Sequence, residues 1–202
     1  FRFFEFWSCV RAFLRFNAQD LANCAFALAE LEIETPMLHE EFASSFEWAC
    51  LSRIESFRPP DVYMTLYSVA ILDANGTKIA SEELVKTLLK QASSMVSCTR
   101  DAQQLATACV WFGSSCVPEA VQTKCQQGEE RTTTVNAAQK RIVEALEGEE
   151  LTLNFFVVPM LMVVDVYLPR KNAIVWIEGV QNFRRTGQRT ARAKLTAKCF
   201  ER

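Results

Sequence analysis

Two stretches set 41 positions apart, Asp20–Leu31 (DLANCAFALAEL) and Asp61–Leu72 (DVYMTLYSVAIL), decide how most of this chain reads. Each opens on an acid and continues with apolar residues at helical spacing. The match extends outward on the same offset. Trp7-Ser8-Cys9-Val10 returns as Trp48-Ala49-Cys50-Leu51, and Phe16 returns as Phe57. Glu40–Phe42 (EEF) returns as Glu82–Leu84 (EEL), 42 positions on. A looser third copy, QLATACVWFGSS, starts at Gln104, 43 beyond Asp61. Self-similarity at a period near 40, with two helices per unit, predicts an α-helical repeat solenoid built from helix-hairpin units of about 41 residues. The array covers residues 1–127 as a half unit, two full units and a degenerate end.

Helical periodicity fills in the units. Phe6, Cys9, Val10, Phe13 and Leu14 give the first helix an apolar face. Leu21, Cys24, Ala25, Leu28 and Leu31 do so for the second, which Asn17 or Asp20 can cap. Pro36 breaks it, and Phe42, Phe46, Ala49, Cys50 and Ile54 are expected to face inward from the next. Asn75-Gly76 marks a turn between helices. Residues 126–134 turn polar, Asn136–Leu146 is one more amphipathic helix, and Glu147–Glu150 is an acidic cluster. Residues 128–150 therefore read as linker and helix. From Leu151 the pattern changes to extended runs rich in Val, Phe and Leu. That change places a boundary near 148–152 and a second module over 151–202.

Only six Gly and six Pro in 202 residues argue against disorder. The longest apolar run, Phe155–Val164, is interrupted by Pro159 and is too short to span a membrane. None of the eight cysteines forms a C-x-x-C pair, and Cys24 and Cys109 fall within apolar helical patterns. They read as small buried hydrophobes in a reducing compartment. A zinc site from Cys109, Cys116 and Cys125 is the rival, but its spacings match no pair-of-pairs pattern. The single histidine, His39, has no evident triad partner and reads as an exposed polar residue. No cofactor is expected. A start at Phe1 is expected of a fragment or a processed form.

Charge separates the two modules. Between Leu168 and Arg202 nine Lys/Arg and two acids leave +7, and residues 1–167 carry −9, which together give the −2 of the chain. Such asymmetry points to a polyanion partner for one end only. Val163–Leu168 (VVDVYL) and Ala173–Ile177 (AIVWI) predict a hairpin turning at Pro169–Asn172, and Thr190–Phe200 a helix. That helix has an apolar seam of Ala191, Leu195 and Cys199, expected to dock on the sheet with the flanking cations facing outward. The candidate RNA contacts are Arg170, Lys171, Arg184, Arg185, Arg189, Arg192, Lys194 and Lys198. Arginine suits the task because it grips phosphate bidentately and stacks on bases. Phe183 either offers a stacking face beside Arg184 or closes the hairpin from inside. A merely solvated charged face is the plain alternative for the set. Arg11, Arg15, Arg53 and Arg58 lie near one end of successive units, but Ser52 stands where Arg11 should recur, so no residue-per-base code emerges.

The C-terminal stretch resembles the RAP-domain family, whose RNA-binding domain is abundant in apicomplexans. Asp165, then AIVWIEGVQNF (Ala173–Phe183), then Thr190 followed by RAKLTAK, follow the family order of strand aspartate, hydrophobic strand with Gly and Phe, and basic helix. Gly179 and Phe183 match, Glu178 stands for the family's Asp, and Asn182 for its His. FNAQDLANCAFALAEL is similar to the helical repeats that precede this domain in organellar proteins. The resemblance implies a small endonuclease-like α/β module, continuing past Arg202, in a mitochondrial or plastid protein. It implies RNA as partner, with ribosomal RNA and neighbouring ribosomal proteins of a mitochondrial ribosome favoured. A transcript processing or stability factor and a protein-only solenoid adaptor are the alternatives. A metal-dependent endonuclease would use Asp165 and Glu178. Trp176, however, occupies the place of the family's first glutamate and cannot hold a metal, so a non-catalytic role is expected. The two acids would then bond to backbone or to nearby arginines.

Overall fold

The computed structural model describes residues 13, 15–32, 40–94, 99–113, 135–157, 161–179 and 182–201. Most of the helix expected over 1–16, along with His39, Cys116, Cys125 and the polar stretch 126–134, lies outside them. Among the described residues the chain is mostly helical, with one small antiparallel sheet. The helices are α1 (Ala18–Glu30), α2 (Glu40–Leu51), α3 (Pro59–Ala74), α4 (Glu82–Ser93), α5 (Thr99–Trp111), α6 (Ala137–Ala145) and α7 (Ala191–Phe200). The strands are β1 (Thr152–Val157), β2 (Met162–Leu168) and β3 (Ala173–Val175), paired in that order. No helix of the described residues is long and apolar enough to cross a membrane.

The starts of α1 and α3 are built alike. The Asn17 side chain accepts the Asp20 N–H at 2.9 Å while Asp20 accepts the Asn17 N–H at 3.0 Å, a reciprocal cap. Asp61 takes the corresponding bond from the Arg58 N–H at 3.1 Å, and Pro59 and Pro60 occupy first-turn positions that need no donor. Helix α3 ends at Asn75, with Gly76 left-handed at φ 83°. There the Gly76 and Thr77 N–H groups donate to Asp73 and Leu72 at 2.9 and 2.8 Å, so the predicted Asn75-Gly76 turn is a helix-closing glycine motif.

Helix α3 is the centre of the molecule. Twelve of its sixteen residues are buried, because α1, α4, α5 and α7 all pack on it. This accounts for a sequence that is apolar all the way round, whereas α4 is amphipathic and half exposed. On α1 the buried stripe is Ala18, Leu21, Ala22, Ala25 and Ala29. The expected stripe was partly wrong: Leu31 caps the helix and is exposed, and Cys24 and Leu28 lie at the margin. Small alanines win the contact because they let α1 approach α3 closely. On α2, Phe42, Phe46, Ala49 and Cys50 are buried as expected. Ile54 falls in a following 3₁₀ turn and is only half-buried.

The sheet alternates as strands should, with Val164, Val166 and Leu168 of β2 buried. The predicted hairpin is present. A 3₁₀ turn, Pro169–Lys171, and left-handed Asn172 at φ 45° return the chain into β3, which stops at Val175 rather than reaching Ile177. Helix α6 joins this sheet. Gln139, capped against Asn136, is buried and donates to Asn154 at 2.8 Å and Asp165 at 3.2 Å.

The docking of α7 departs from the sequence reading. Ala191, Leu195 and Cys199 are indeed its buried seam, but they close on α3, α5 and α1, not on the sheet. The segment just after β3 meets α7 at its far end, where Trp176 and Phe200 pack with centroids 5.5 Å apart. The reason is electrostatic as well as apolar, and the cations show it.

Candidate nucleic-acid interface

Six of the eight candidate cations pair with acids of the same chain. The densest knot surrounds Glu32, just past the end of α1. Its carboxylate, largely buried, accepts from Arg184 Nε at 2.8 Å, from the Ala191 N–H at 2.9 Å and from Lys194 Nζ at 3.4 Å. Ala191 is the first residue of α7, so an anion sits on that helix's positive end. Burial pushes the Glu32 carboxyl up. The Arg184 hydrogen bond, the Ala191 amide and the charges of Arg184 and Lys194 outweigh it and hold the group below its ordinary value of 4.5.

Arg192 donates to Glu30 at 2.5 Å and lies over the Tyr67 ring, 5.8 Å from its centroid. Burial, partly offset by Arg192, pushes the Tyr67 hydroxyl up to about 12, so it stays protonated. Lys198 donates to the Ala74 carbonyl at the negative end of α3. Arg192, Lys194 and Lys198 therefore each bond back to the helical body while part of each side chain stays in water. Arg170 and Lys171, on the β2–β3 turn, pair with Glu150 and Glu149 at 3.2 and 2.6 Å.

The loop before α7 differs. Phe183 and Arg189 form an isolated bridge, the Arg184 N–H donates to Gln188 at 2.7 Å, and Gly187 turns at φ 80°. Every residue from Phe183 to Arg189 is exposed. Arg185 makes no ion pair among the described residues, and Phe183 is 38% exposed, so it is not the core plug of the hairpin. Even the paired cations keep 41–72% of their side chains in water. Where the acid is exposed too, as in Arg170–Glu150 and Arg192–Glu30, such a pair contributes about 0–1 kcal/mol, so a phosphate can replace the carboxylate at little cost.

The two acids of the nuclease alternative are held by the fold. Asp165 accepts the Ile177 N–H at 2.6 Å in addition to Gln139, which ties β2 to the segment after β3. Glu178 accepts from Arg189 Nε at 2.8 Å. Among the described residues no three His, Cys, Asp or Glu side chains converge as metal ligands would. Cys50, Cys109 and Cys199 are buried and Cys24 is half-buried, and burial pushes the Cys50 thiol far up, which makes it inert. A cleft of about 360 Å³ lined by Ile79, Val85 and Trp111 contains none of the eight cations.

No protein-family model matches the chain, and no curated protein matches it.

Sequence reasoning located the basic stretch but missed Glu30 and Glu32 as its partners. They lie more than 150 positions away, and nothing in local periodicity marks them.

Proposed function

We propose that this is a non-catalytic organellar RNA-binding protein, a repeat solenoid ending in a RAP-type module, that serves as a structural component of a mitochondrial ribosome and touches ribosomal RNA. The observation that carries the RNA contact is the Phe183–Arg189 loop, exposed at every residue, with Arg185 in no ion pair among the described residues and the Phe183 ring partly in water. The repeat reading is supported by helix starts at 18 and 59 and at 40 and 82, and by Asp20 and Asp61 sharing one capping role. The family resemblance supplies the organelle. The non-catalytic part is supported by Trp176 in the place of the family's first glutamate and by Asp165 and Glu178 each accepting a hydrogen bond from backbone or arginine.

The test is RNA affinity of the chain against salt. Changing Arg184, Arg185 and Arg189 together to Gln should flatten the log–log slope by about two to three units, and Arg185→Gln alone by about 0.7–0.9. Lys198→Gln should leave it unchanged. A slope that ignores all three loop arginines removes the RNA reading. One observation favours a second reading, the protein-only adaptor: the chain neutralises most of its own basic charge. In that case RNA affinity stays weak and the chain purifies free of nucleic acid.

A further inference from the structure

A cleft of about 250 Å³ opens where the helices, the sheet and α7 meet. Tyr67 of α3, Gln104 of α5, Trp176 just after β3, Asn182 and Arg192 line it. We propose that this cleft is a nucleobase site, taking one unpaired base of a strand whose phosphates lie on the adjoining basic loop; it rests on the RNA-binding reading above.

Three features select a base over other ligands. First, the side-chain amides of Gln104 and Asn182 make no hydrogen bond among the described residues, although both line the cleft. Each amide offers donors and an acceptor together, which is what a base edge requires. A purely apolar guest would leave both unsatisfied, and an inorganic phosphate would have no use for their acceptors. Second, the walls carry aromatic surface. Trp176 is half-buried and anchored against Phe200, and Tyr67 lies beneath the Arg192 guanidinium. Glu30 holds that guanidinium in place. Rings and a guanidinium plane are the surfaces on which unpaired bases stack. Third, the cleft is continuous with the loop. Asn182 is both a wall of the cleft and the loop's first anchor, its carbonyl accepting the Thr190 N–H at 2.8 Å. A strand bound along Arg184 and Arg185 therefore passes the cleft mouth. The volume lies below the roughly 300 Å³ at which pockets begin to take drug-sized ligands, which suits one planar ring system.

The experiment separates this site from the phosphate grip by using uncharged nucleosides. Adenosine and uridine are titrated into the chain while the Trp176 indole N–H is followed by NMR, assigned with Trp176→Phe. A saturable shift is expected. Gln104→Ala and Asn182→Ala remove side chains with no internal bond to lose, so the fold should survive. Each should weaken nucleoside binding about 2- to 10-fold. Arg185→Gln should leave nucleoside binding alone while flattening the RNA salt slope. If neither nucleoside shifts Trp176, or both alanine variants bind as wild type does, the base site is overturned whatever RNA does. If the nucleoside response behaves as expected while RNA binding ignores the loop arginines, the RNA reading falls and the nucleobase site stands.

Discussion

Helix α7 and the loop that leads into it carry the same kind of charge and use it in opposite ways. Arg192, Lys194 and Lys198 turn toward the body and meet Glu30, Glu32 and the Ala74 carbonyl. Arg185, a few residues earlier, meets water. What separates them is the apolar seam. Ala191, Leu195 and Cys199 must be buried, and burying them brings the flanking cations onto the C-terminal ends of α1 and α3. The loop has no such seam to pull it in. A run of basic residues therefore measures how much charge there is, and the neighbouring apolar pattern decides how much of it is free. The acidic body and basic tail, which as sequence pointed to an external polyanion, are in part each other's partner.

The largest test of this contrast is to remove the seam. Leu195 is fully buried, and Leu195→Ala should cost about 2–4 kcal/mol in urea unfolding. Amide exchange should then speed up in α7 more than in α1. Equal loss of protection in both would mean that α7 is not a separately docked element. A smaller effect is expected at Glu32. Glu32→Gln keeps the size but loses the charge that faces Arg184, Lys194 and the start of α7, and should cost about 1–3 kcal/mol, the range for a hydrogen-bonded charge with half-exposed partners. The pH dependence has a definite sign. The folded-state pKa is lowered, so folded Glu32 binds its proton less readily than the unfolded chain does. Its contribution is complete above the ordinary value of 4.5 and is lost as pH falls below it through the lowered value. Wild type and Glu32→Gln should thus differ most near neutral pH and converge in acid. Parallel curves would show that Glu32 does not anchor α7 through its charge.

How much of this was legible in the sequence follows the same division. The helices α1 to α5, the β2–β3 hairpin and the α7 helix, predicted from Thr190, could be read because periodicity, caps and turn residues are local signals. The Asn75-Gly76 turn was legible for the same reason. The docking partner of α7 was not. An i, i+4, i+8 seam says that a face is buried, not against what. The Glu32 knot was hidden because its partners lie more than 150 positions along the chain, and Glu32 sits in a left-handed turn at φ 49° that no propensity rule predicts for glutamate. Asp165 was singled out for chemistry. Its actual bond to the Ile177 N–H shows a carboxylate doing backbone work at a strand junction. The cleft was invisible for a further reason: Tyr67, Gln104 and Trp176 come from three elements that only the fold brings together.

The smallest expected effect bears most directly on what the Glu32 knot is. Arg170 and Glu150 form an ion pair too, at 3.2 Å, but both side chains are more than 60% exposed. They lie on a turn and at the end of the acidic cluster, with no amide or helix end added. Water screens such a pair on every side, and holding two long side chains together costs rotamer entropy. A double-mutant cycle on Arg170→Ala and Glu150→Ala should therefore give a coupling of about 0–0.5 kcal/mol that disappears in high salt. The same cycle on Arg184→Ala and Glu32→Ala should give about 1–2 kcal/mol and keep much of it in salt, because that carboxylate is only 11% exposed and is also held by an amide. If the two couplings come out equal, Glu32 is one more surface ion pair. The docking of α7 then rests on Leu195 and its apolar neighbours alone, and all the cations of the tail are equally open to RNA.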